Sequence, residues 1–416
     1  MKNLIKNLKL KRRIITLLAG LHFFGNPSKR MKVVGVTGTS GKTTTATLLY
    51  KIATALGHKT GLIGTVENII VKEREEATLT TPDAITLTKL LYRMAEAGCE
   101  YVFMEASSHA IDQNRIAGIN FVGGIFTNLS QDHFDYHKNF ENYFEAKKKF
   151  FKMLPGRAFA LANVDDKYGL KMLEGIKAHQ FTYSFQQLRS SASQKVLFEG
   201  EIKKMSFDGL ELSFNDISIK SKLLGKFNAY NLLAVWSACS LLGFDMGKVN
   251  KILENIEPPR GRFEHFTSSN GVLVIVDYAH KPDALEKIFS AVKETKTNNG
   301  KIISVFGCGG DRDPLKRPLM GKIGAVNSDI AIFTSDNPRS EDREKIIEAM
   351  KTTLSPDDVK KVKTIPNRRE AIMEAVKIAQ GGDIILCAGK GHENYQIVKG
   401  KKSHFDDMEE FVKAYS

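Results

Sequence analysis

Cysteine is scarce in this sequence, and its placement excludes two classes of protein. Cys99, Cys239, Cys308 and Cys387 lie far apart and form no C-x-x-C pair, so neither a disulfide framework nor a zinc site is indicated. A reducing cytoplasm is the expected compartment. Long hydrophobic runs are also missing. The apolar stretch "IITLLAGLHFFG" near the start is too short to cross a bilayer. It follows the basic "MKNLIKNLKLKRR" as the core of a signal peptide would, but no A-x-A cleavage site follows it. Internal repeats and low-complexity segments are absent as well.

What is present is a 416-residue chain with 42% hydrophobic residues, enough for roughly two or three domain cores. Its formal net charge of +14 would suit nucleic acid, a membrane surface or an acidic substrate. Charge alone does not choose, and a solvated basic surface explains it; no nucleic-acid partner is expected. Leu4, Ile5, Leu8 and Leu10 among lysines suit an amphipathic helix. Residues 1–25 would either pack on the body, the preferred reading, or make peripheral contact with an anionic membrane.

"GVTGTSGKTTTATLL", Gly35–Leu49, has the parts of a phosphate-binding loop. Val33–Val36 reads as a buried strand, Gly38 and Gly41 permit a tight turn, and a helix resumes at Thr43–Tyr50. Backbone N–H groups of Gly38, Thr39, Ser40, Gly41 and Thr44 would cradle phosphate oxygens. Lys42 would reach the terminal phosphates and the Thr43 hydroxyl would bind Mg²⁺. The spacing is a variant, since the usual first glycine of G-x-x-x-x-G-K-[ST] is Val36.

Beyond the loop, strand candidates at Tyr101–Met104, Gly124–Thr127 and Ala158–Ala162 alternate with helical stretches at Ala84–Ala97 and Asn139–Phe151. That pattern predicts an α/β fold with a mainly parallel sheet. "GLELSFNDISIKSKLL" reads as a small antiparallel β region, and a helix is expected at Asn228–Leu242. The pattern breaks near Pro258–Pro259, after which strands are expected at Val272–Val276, Ile302–Phe306, Ile330–Phe333 and Ile384–Ala388. The expected organisation is a short N-terminal segment at 1–32, a central ATP-binding domain at 33–258, and a C-terminal Rossmann-like α/β domain at 259–416.

"YVFMEASSHAIDQNR" places Glu105 at a strand end, where open α/β sheets hold their ligands. "FTNLSQDHFDYHKN" sets Asn128, Asp132, His133 and His137 at the next strand end. Carboxylate and imidazole beside a phosphate loop suggest a Mg²⁺ site for nucleotide, although a single histidine is more often a surface or core residue.

These segments, with "TTPD", "YFEAKKKFF", "GKFNAYN", "GRFE", "VDYAHKPDAL", "VFGCGGDRDPLKRPLMG", "TSDNPRSED" and "AGKGHENYQ", resemble the Mur ligase superfamily in family order from about residue 24 onward. The nearest branch adds meso-diaminopimelate to UDP-N-acetylmuramoyl-L-alanyl-D-glutamate in peptidoglycan synthesis. The resemblance implies a monomeric ATP-dependent ligase that forms an acyl phosphate and then an amide. It implies that Lys42 contacts the β and γ phosphates, that Thr43 and Glu105 hold one Mg²⁺, and that His133 holds a second near a carbamylated Lys147. Lys148 and Lys149 are expected to favour the neutral, CO₂-reactive form of Lys147 by like-charge repulsion.

The same resemblance assigns Asn228, Asn231, Arg262 and Asp277 to ATP, so that ATP would clamp the two domains. It assigns Thr80, Thr81, Ser107, Gln113 and Arg115 to the muramoyl-peptide. Arg312, Asp336, Asn337, Arg339, Gly389 and Glu393 would bind the incoming amino acid. The "DNPR" Arg339 matches the distal carboxylate that diaminopimelate has and lysine lacks.

Relatives carry a uridine-diphosphate-binding domain ahead of the loop, whereas here only "FFGNPSKRM" resembles its end. The central domain alone, a partner, a different acceptor, or a shortened chain would each account for that. Two other functions stay in view: a ligase using another amino acid and carboxylate, as folylpolyglutamate synthetases do, and a non-catalytic ATP-binding scaffold. "DNPR" and "SSHAIDQNR" speak against the first, and intact Lys42, Glu105, His133 and Lys147 against the second.

Overall fold

The computed structural model describes residues 24–186, 197–296 and 299–416; the expected amphipathic N-terminal helix falls outside them. The chain forms two compact units. One holds the described residues up to Lys204, then Gly209–Leu223 and Phe227–Ile256; the other holds Met205–Asp208, Leu224–Lys226 and Glu257–Ser416.

The first unit runs β1 (Lys32–Thr37), α1 (Lys42–Ala55), β2 (Thr60–Ile63), β3 (Glu67–Ile70), β4 (Glu73–Glu76), α2 (Ala84–Glu96), β5 (Tyr101–Glu105), α3 (Ser108–Asp112), β6 (Phe121–Phe126), α4 (Phe134–His137) and α5 (Phe140–Met153). It continues with β7 (Phe159–Asn163), α6 (Gly169–Leu173), β8 (His179–Ser184), β9 (Phe198–Ser206), β10 (Gly209–Phe214), β11 (Ile217–Ser221), α7 (Lys226–Leu241) and α8 (Met246–Glu254). The strands make one sheet in the order β11-β10-β9-β8-β7-β6-β1-β5-β2-β3-β4. From β8 to β2 every pairing is parallel, and both edges turn antiparallel. The antiparallel region expected from "GLELSFNDISIKSKLL" is therefore an edge of the main sheet.

Local chemistry sets the helix starts. Asp83 accepts hydrogen bonds from Ile85 N and Thr86 N, so α2 begins at Ala84. Asn139 caps α5 by accepting from Asn142 N, so it stands just outside the helix. The central strands are buried on both faces, which is why β1, β5 and β7 read as apolar runs without alternation.

The second unit contains β12 (Glu264–Thr267), β13 (Leu273–Asp277), α9 (Pro282–Thr295), β14 (Ile302–Phe306), α10 (Lys316–Asn327), β15 (Ile330–Phe333) and α11 (Arg343–Lys351). After these come α12 (Pro356–Lys360), β16 (Val362–Thr364), α13 (Arg368–Ile378), β17 (Ile384–Ala388), the hairpin β18 (Tyr395–Val398) and β19 (Lys401–His404), and α14 (Asp407–Tyr415). Its six-stranded sheet has the order β12-β13-β17-β14-β15-β16, parallel except for β12. Alternate residues of β13 enter opposite cores: Leu273 and Ile275 one, Val274 and Val276 the other. Among the described residues, no helix is long and apolar enough to cross a membrane.

Candidate active site

In the first unit, β5, β1 and β6 lie side by side in parallel, with Val36 level with Glu105 and Thr37 level with Phe126. Their carboxyl ends therefore deliver Glu105, the glycine loop and Asn128 to one edge of the sheet. The loop is built too tightly for side chains at two points. A Cβ on Gly38, whose φ is +151°, would sit 1.9 Å from Thr127 Oγ1, and one on Gly41, at φ +84°, would sit 2.5 Å from Asn231 Oδ1. Gly41 caps α1 without a side chain, which leaves the first amides of the helix to meet an anion. Thr127 Oγ1 and Asn128 Nδ2 both donate to Ser40 O, and Asn128 Oδ1 accepts from Ser40 N. Lys42 Nζ donates to Gly38 O at 3.0 Å and to Thr39 O at 2.8 Å, so the ammonium folds over the loop.

Asn228 and Asn231 are buried beside this loop, and Asn231 Nδ2 donates to Asn228 Oδ1 at 3.0 Å.

Glu105 is 1% exposed and joins the loop to the residues assigned to the acceptor. Its Oε2 accepts from Thr43 Oγ1 at 3.0 Å, its Oε1 from Thr65 N at 2.7 Å, and its carbonyl from Thr81 Oγ1 at 2.6 Å. Thr65 Oγ1 donates to Thr80 Oγ1, while Thr81 Oγ1 accepts from Ser107 N. Arg115 Nη1 donates to Thr81 O, and its Nε and Nη2 donate to Gln113 Oε1. Gln113 reaches Tyr136, whose hydroxyl donates to Asp112. Thr80, Thr81, Ser107, Gln113 and Arg115 thus form one connected cluster with Glu105.

Lys147 is 1% exposed, and its Nζ donates to Gly38 O at 2.7 Å while lying 4.5 Å from the centre of the Tyr143 ring. Burial, reinforced by the charge of Lys42, holds its amine well below the usual lysine range. This corrects the expected cause. Lys148 lies over Phe144 and toward Glu174, and Lys149 donates to Asn114, so neither is what depresses Lys147. His133 adopts φ +55°, and its Nε2 lies 3.4 Å from Asp132 Oδ2. Sequence reasoning passed over His109, whose ring stands 4.8 Å from that of His133 and 5.5 Å from that of His137. Burial lowers the pKa of both His109 and His137. The available signal was a histidine after each of two strands expected to lie side by side. No group of three or more His, Cys, Asp or Glu among the described residues could hold a metal by itself. The hard oxygens of Thr43 and Glu105 still fit Mg²⁺, which takes few protein ligands and completes its shell with phosphate and water.

In the second unit the carboxyl ends of β13, β17, β14 and β15 again share an edge, with Asp277 and Phe306 both level with Ala388. Asp277 accepts from Phe263 N and Ala279 N, and burial pushes its carboxyl up against the pull of Arg262. Arg262 lies over Tyr278, with its Nε buried and without a hydrogen-bond partner among the described residues. His392, also unforeseen, packs its ring against Tyr278; burial pushes its pKa down to about 4, and its buried Nδ1 has no hydrogen-bond partner among the described residues.

Most of the residues expected to bind the incoming amino acid lie around the turn after β15. Asn337 Nδ2 donates to Glu393 Oε2 at 2.8 Å, and Asp336 O accepts from Gln396 Nε2. Arg339, at φ +54°, is gripped through its backbone by the β18 hairpin, while its Nη1 donates to Gly310 O and Asn337 O. These acceptors are neutral carbonyls. A Cβ on Gly389, at φ +114°, would meet Asp336 Oδ2 at 2.8 Å. Burial and the nearby Asp336 push the Glu393 carboxyl up. Arg312 is exposed, on the loop after β14.

Comparison with known proteins matches residues 36–239 to the Mur ligase middle domain and 261–391 to the Mur ligase glutamate ligase domain. The chain belongs to the Mur ligase family. It is 50% identical, over 387 residues, to a UDP-N-acetylmuramoyl-L-alanyl-D-glutamate–2,6-diaminopimelate ligase of Phocaeicola vulgatus, covering 93% of this chain and 78% of that protein. The same identity over 398 residues holds for the ligase of that name in Bacteroides fragilis, with 96% and 81% covered. A solved structure of a ligase of that name superposes with a TM-score of 0.67 at 34% identity, over 92% of this chain and 78% of that one. A folylpolyglutamate synthase of Mycobacterium tuberculosis reaches a TM-score of 0.69 over 92% and 94%, but at 18% identity, so it shares the fold alone. The backbone is common to the Mur ligase family and these synthases; side chains separate them.

Proposed function

We propose that this Mur ligase is a cytoplasmic, ATP-dependent acid–amino-acid ligase that joins meso-diaminopimelate to the D-glutamyl carboxylate of a UDP-N-acetylmuramoyl-L-alanyl-D-glutamate acceptor. A carboxylate oxygen of the acceptor attacks the γ-phosphorus of ATP and ADP leaves. An amine of diaminopimelate then attacks the acyl carbon, phosphate departs with the C–O bonding electrons, and the nitrogen gives up one proton as the amide forms.

The observation that carries this reading is the position of Glu105. Its carboxylate touches Thr43 at the start of the phosphate-loop helix, and its carbonyl holds Thr81 in the acceptor cluster. One residue therefore ties the place where phosphate would sit to the place where the acceptor would sit. Lys42 and the open amides after Gly41 would balance the charge of the transferring phosphoryl group, so positioning and electrostatics account for the catalysis. Thr43 and Glu105 would hold one Mg²⁺ and His133 a second, supplying charge neutralisation at the phosphates. The depressed pKa of Lys147 supports a carbamate there, because only the neutral amine adds to CO₂ and releases a proton. Arg262 and Asp277 are assigned to the nucleotide, and Arg312, Asp336, Asn337, Arg339, Gly389 and Glu393 to diaminopimelate.

A phosphate-release assay with each substrate omitted in turn tests the reading. Release should require ATP, the muramoyl-dipeptide and diaminopimelate together. Release that persists without an amino acid, or only with glutamate and a folate, would overturn it.

A further inference from the structure

Lys390 follows Gly389 at the end of β17 and is completely buried. Its ammonium has three protons and finds three acceptors, Tyr395 O at 2.5 Å, Glu393 Oε2 at 3.4 Å and Asn337 Oδ1 at 3.5 Å. The ring of Tyr395 lies 5.5 Å away. We propose that Lys390 is a positioning residue of the amino-acid pocket, fixing the Asn337 amide and the Glu393 carboxylate so that one Glu393 oxygen stays available to an incoming ammonium. The inference rests on the assignment of Asn337 and Glu393 to diaminopimelate.

The polarity of the pair follows from the cation. The Asn337 side chain could present its oxygen or its nitrogen in either direction. With its oxygen toward Lys390 and toward Ile397 N, at 2.9 Å, its nitrogen is left to donate to Glu393 Oε2 at 2.8 Å. The opposite orientation would set N–H against ammonium and carbonyl against carboxylate. Glu393 Oε2 then carries two bonds from the protein, whereas Oε1 takes none among the described residues. Burial and Asp336 push the Glu393 carboxyl toward its protonated form, and Lys390 opposes both. Without the lysine, the pocket would hold two crowded carboxyl groups and an amide free to turn over.

The test is a double-mutant cycle on the purified full chain, using Lys390→Met, Lys390→Arg, Glu393→Gln and the Met/Gln double variant. Lys390→Met should raise the KM for diaminopimelate roughly 10- to 100-fold, the scale of a hydrogen bond to a charged group, while the KM for ATP moves by less than about twofold. Lys390→Arg, which keeps the charge, should recover part of the loss. In the Glu393→Gln background the added effect of Lys390→Met should shrink to less than about threefold, because the group it orients is gone. An undiminished effect in that background, or an equal rise in every KM, overturns the proposal. If circular dichroism shows that Lys390→Met does not fold, the uncharged Lys390→Gln enters the same cycle under the same criteria. A wild type that ignores diaminopimelate contradicts the functional reading instead, and the cycle is then run with the amino acid it does use.

Discussion

Lys42 and Lys147 donate to the same carbonyl, that of Gly38, yet the sequence treats them differently. Lys42 is legible because the glycine spacing around it has a physical reason. Lys147 is one of three successive lysines, and nothing in that run says which one is buried. The structure separates them by depth and explains its low pKa by burial and Lys42, where sequence neighbours had suggested Lys148 and Lys149. His109 and Lys390 escaped notice because their partners are distant in sequence or bonded through backbone atoms. Replacing Lys42 by Ala should abolish ADP formation and leave the circular dichroism spectrum unchanged, since this lysine meets loop carbonyls rather than core; substantial residual turnover would remove the phosphate loop from the mechanism. Lys147→Ala should lose activity, and short carboxylic acids at high concentration should restore part of it. Full activity in the Lys147→Ala variant would show that no carbamate is needed.

At the level of elements, buried parallel strands were plain in the sequence because they read as unbroken apolar runs bounded by glycine or polar residues. The short strands β2 to β4 were not: β2 and β3 are only four residues long, and "EREE" at Glu73–Glu76 lies at an exposed edge and carries no hydrophobic signal. The loop between β1 and α1 tolerates no side chain at Gly38, so Gly38→Ala should push against Thr127 and depress ATP turnover far more than it lowers the melting temperature. Turnover within about twofold of wild type would mean that the loop can relax. In the second unit, α13 and α14 are joined by Arg368 and Asp407, both fully buried, with Nε and Nη2 each 2.7 Å from a carboxylate oxygen. Arg368 also donates to Ala388 O, beside Gly389, one of the residues proposed to bind the amino acid. Removing one partner of such a pair costs about 3–5 kcal/mol, so Arg368→Met should lower the calorimetric melting temperature by roughly 6–20 °C. Arg368→Met combined with Asp407→Leu should regain much of that loss; a single variant that melts with the wild type would contradict this account of the pair.

For the molecule as a whole, the fold and the family were legible because eleven motifs occur in order, most of them at a strand end or a helix start where ligand chemistry constrains the residue type. Architecture does not select the substrate, since a diaminopimelate ligase and a folylpolyglutamate synthase superpose about equally well. In the proposed reading, the choice between amino acids falls to a few side chains around Asn337, Arg339 and Glu393. Among the described residues, Arg339 Nη1 donates to carbonyl oxygens, those of Gly310 and Asn337, and not to the carboxylate that a guanidinium matches. Direct competition between meso-diaminopimelate and L-lysine, with ATP and the muramoyl-dipeptide acceptor, therefore tests the central claim. The wild type should prefer diaminopimelate by at least about tenfold in kcat/KM, the lower end of what a truncated charge pair is worth, and Arg339→Ala should erase most of that preference while the KM for ATP is unchanged. Equal use of lysine by the wild type would contradict the assignment.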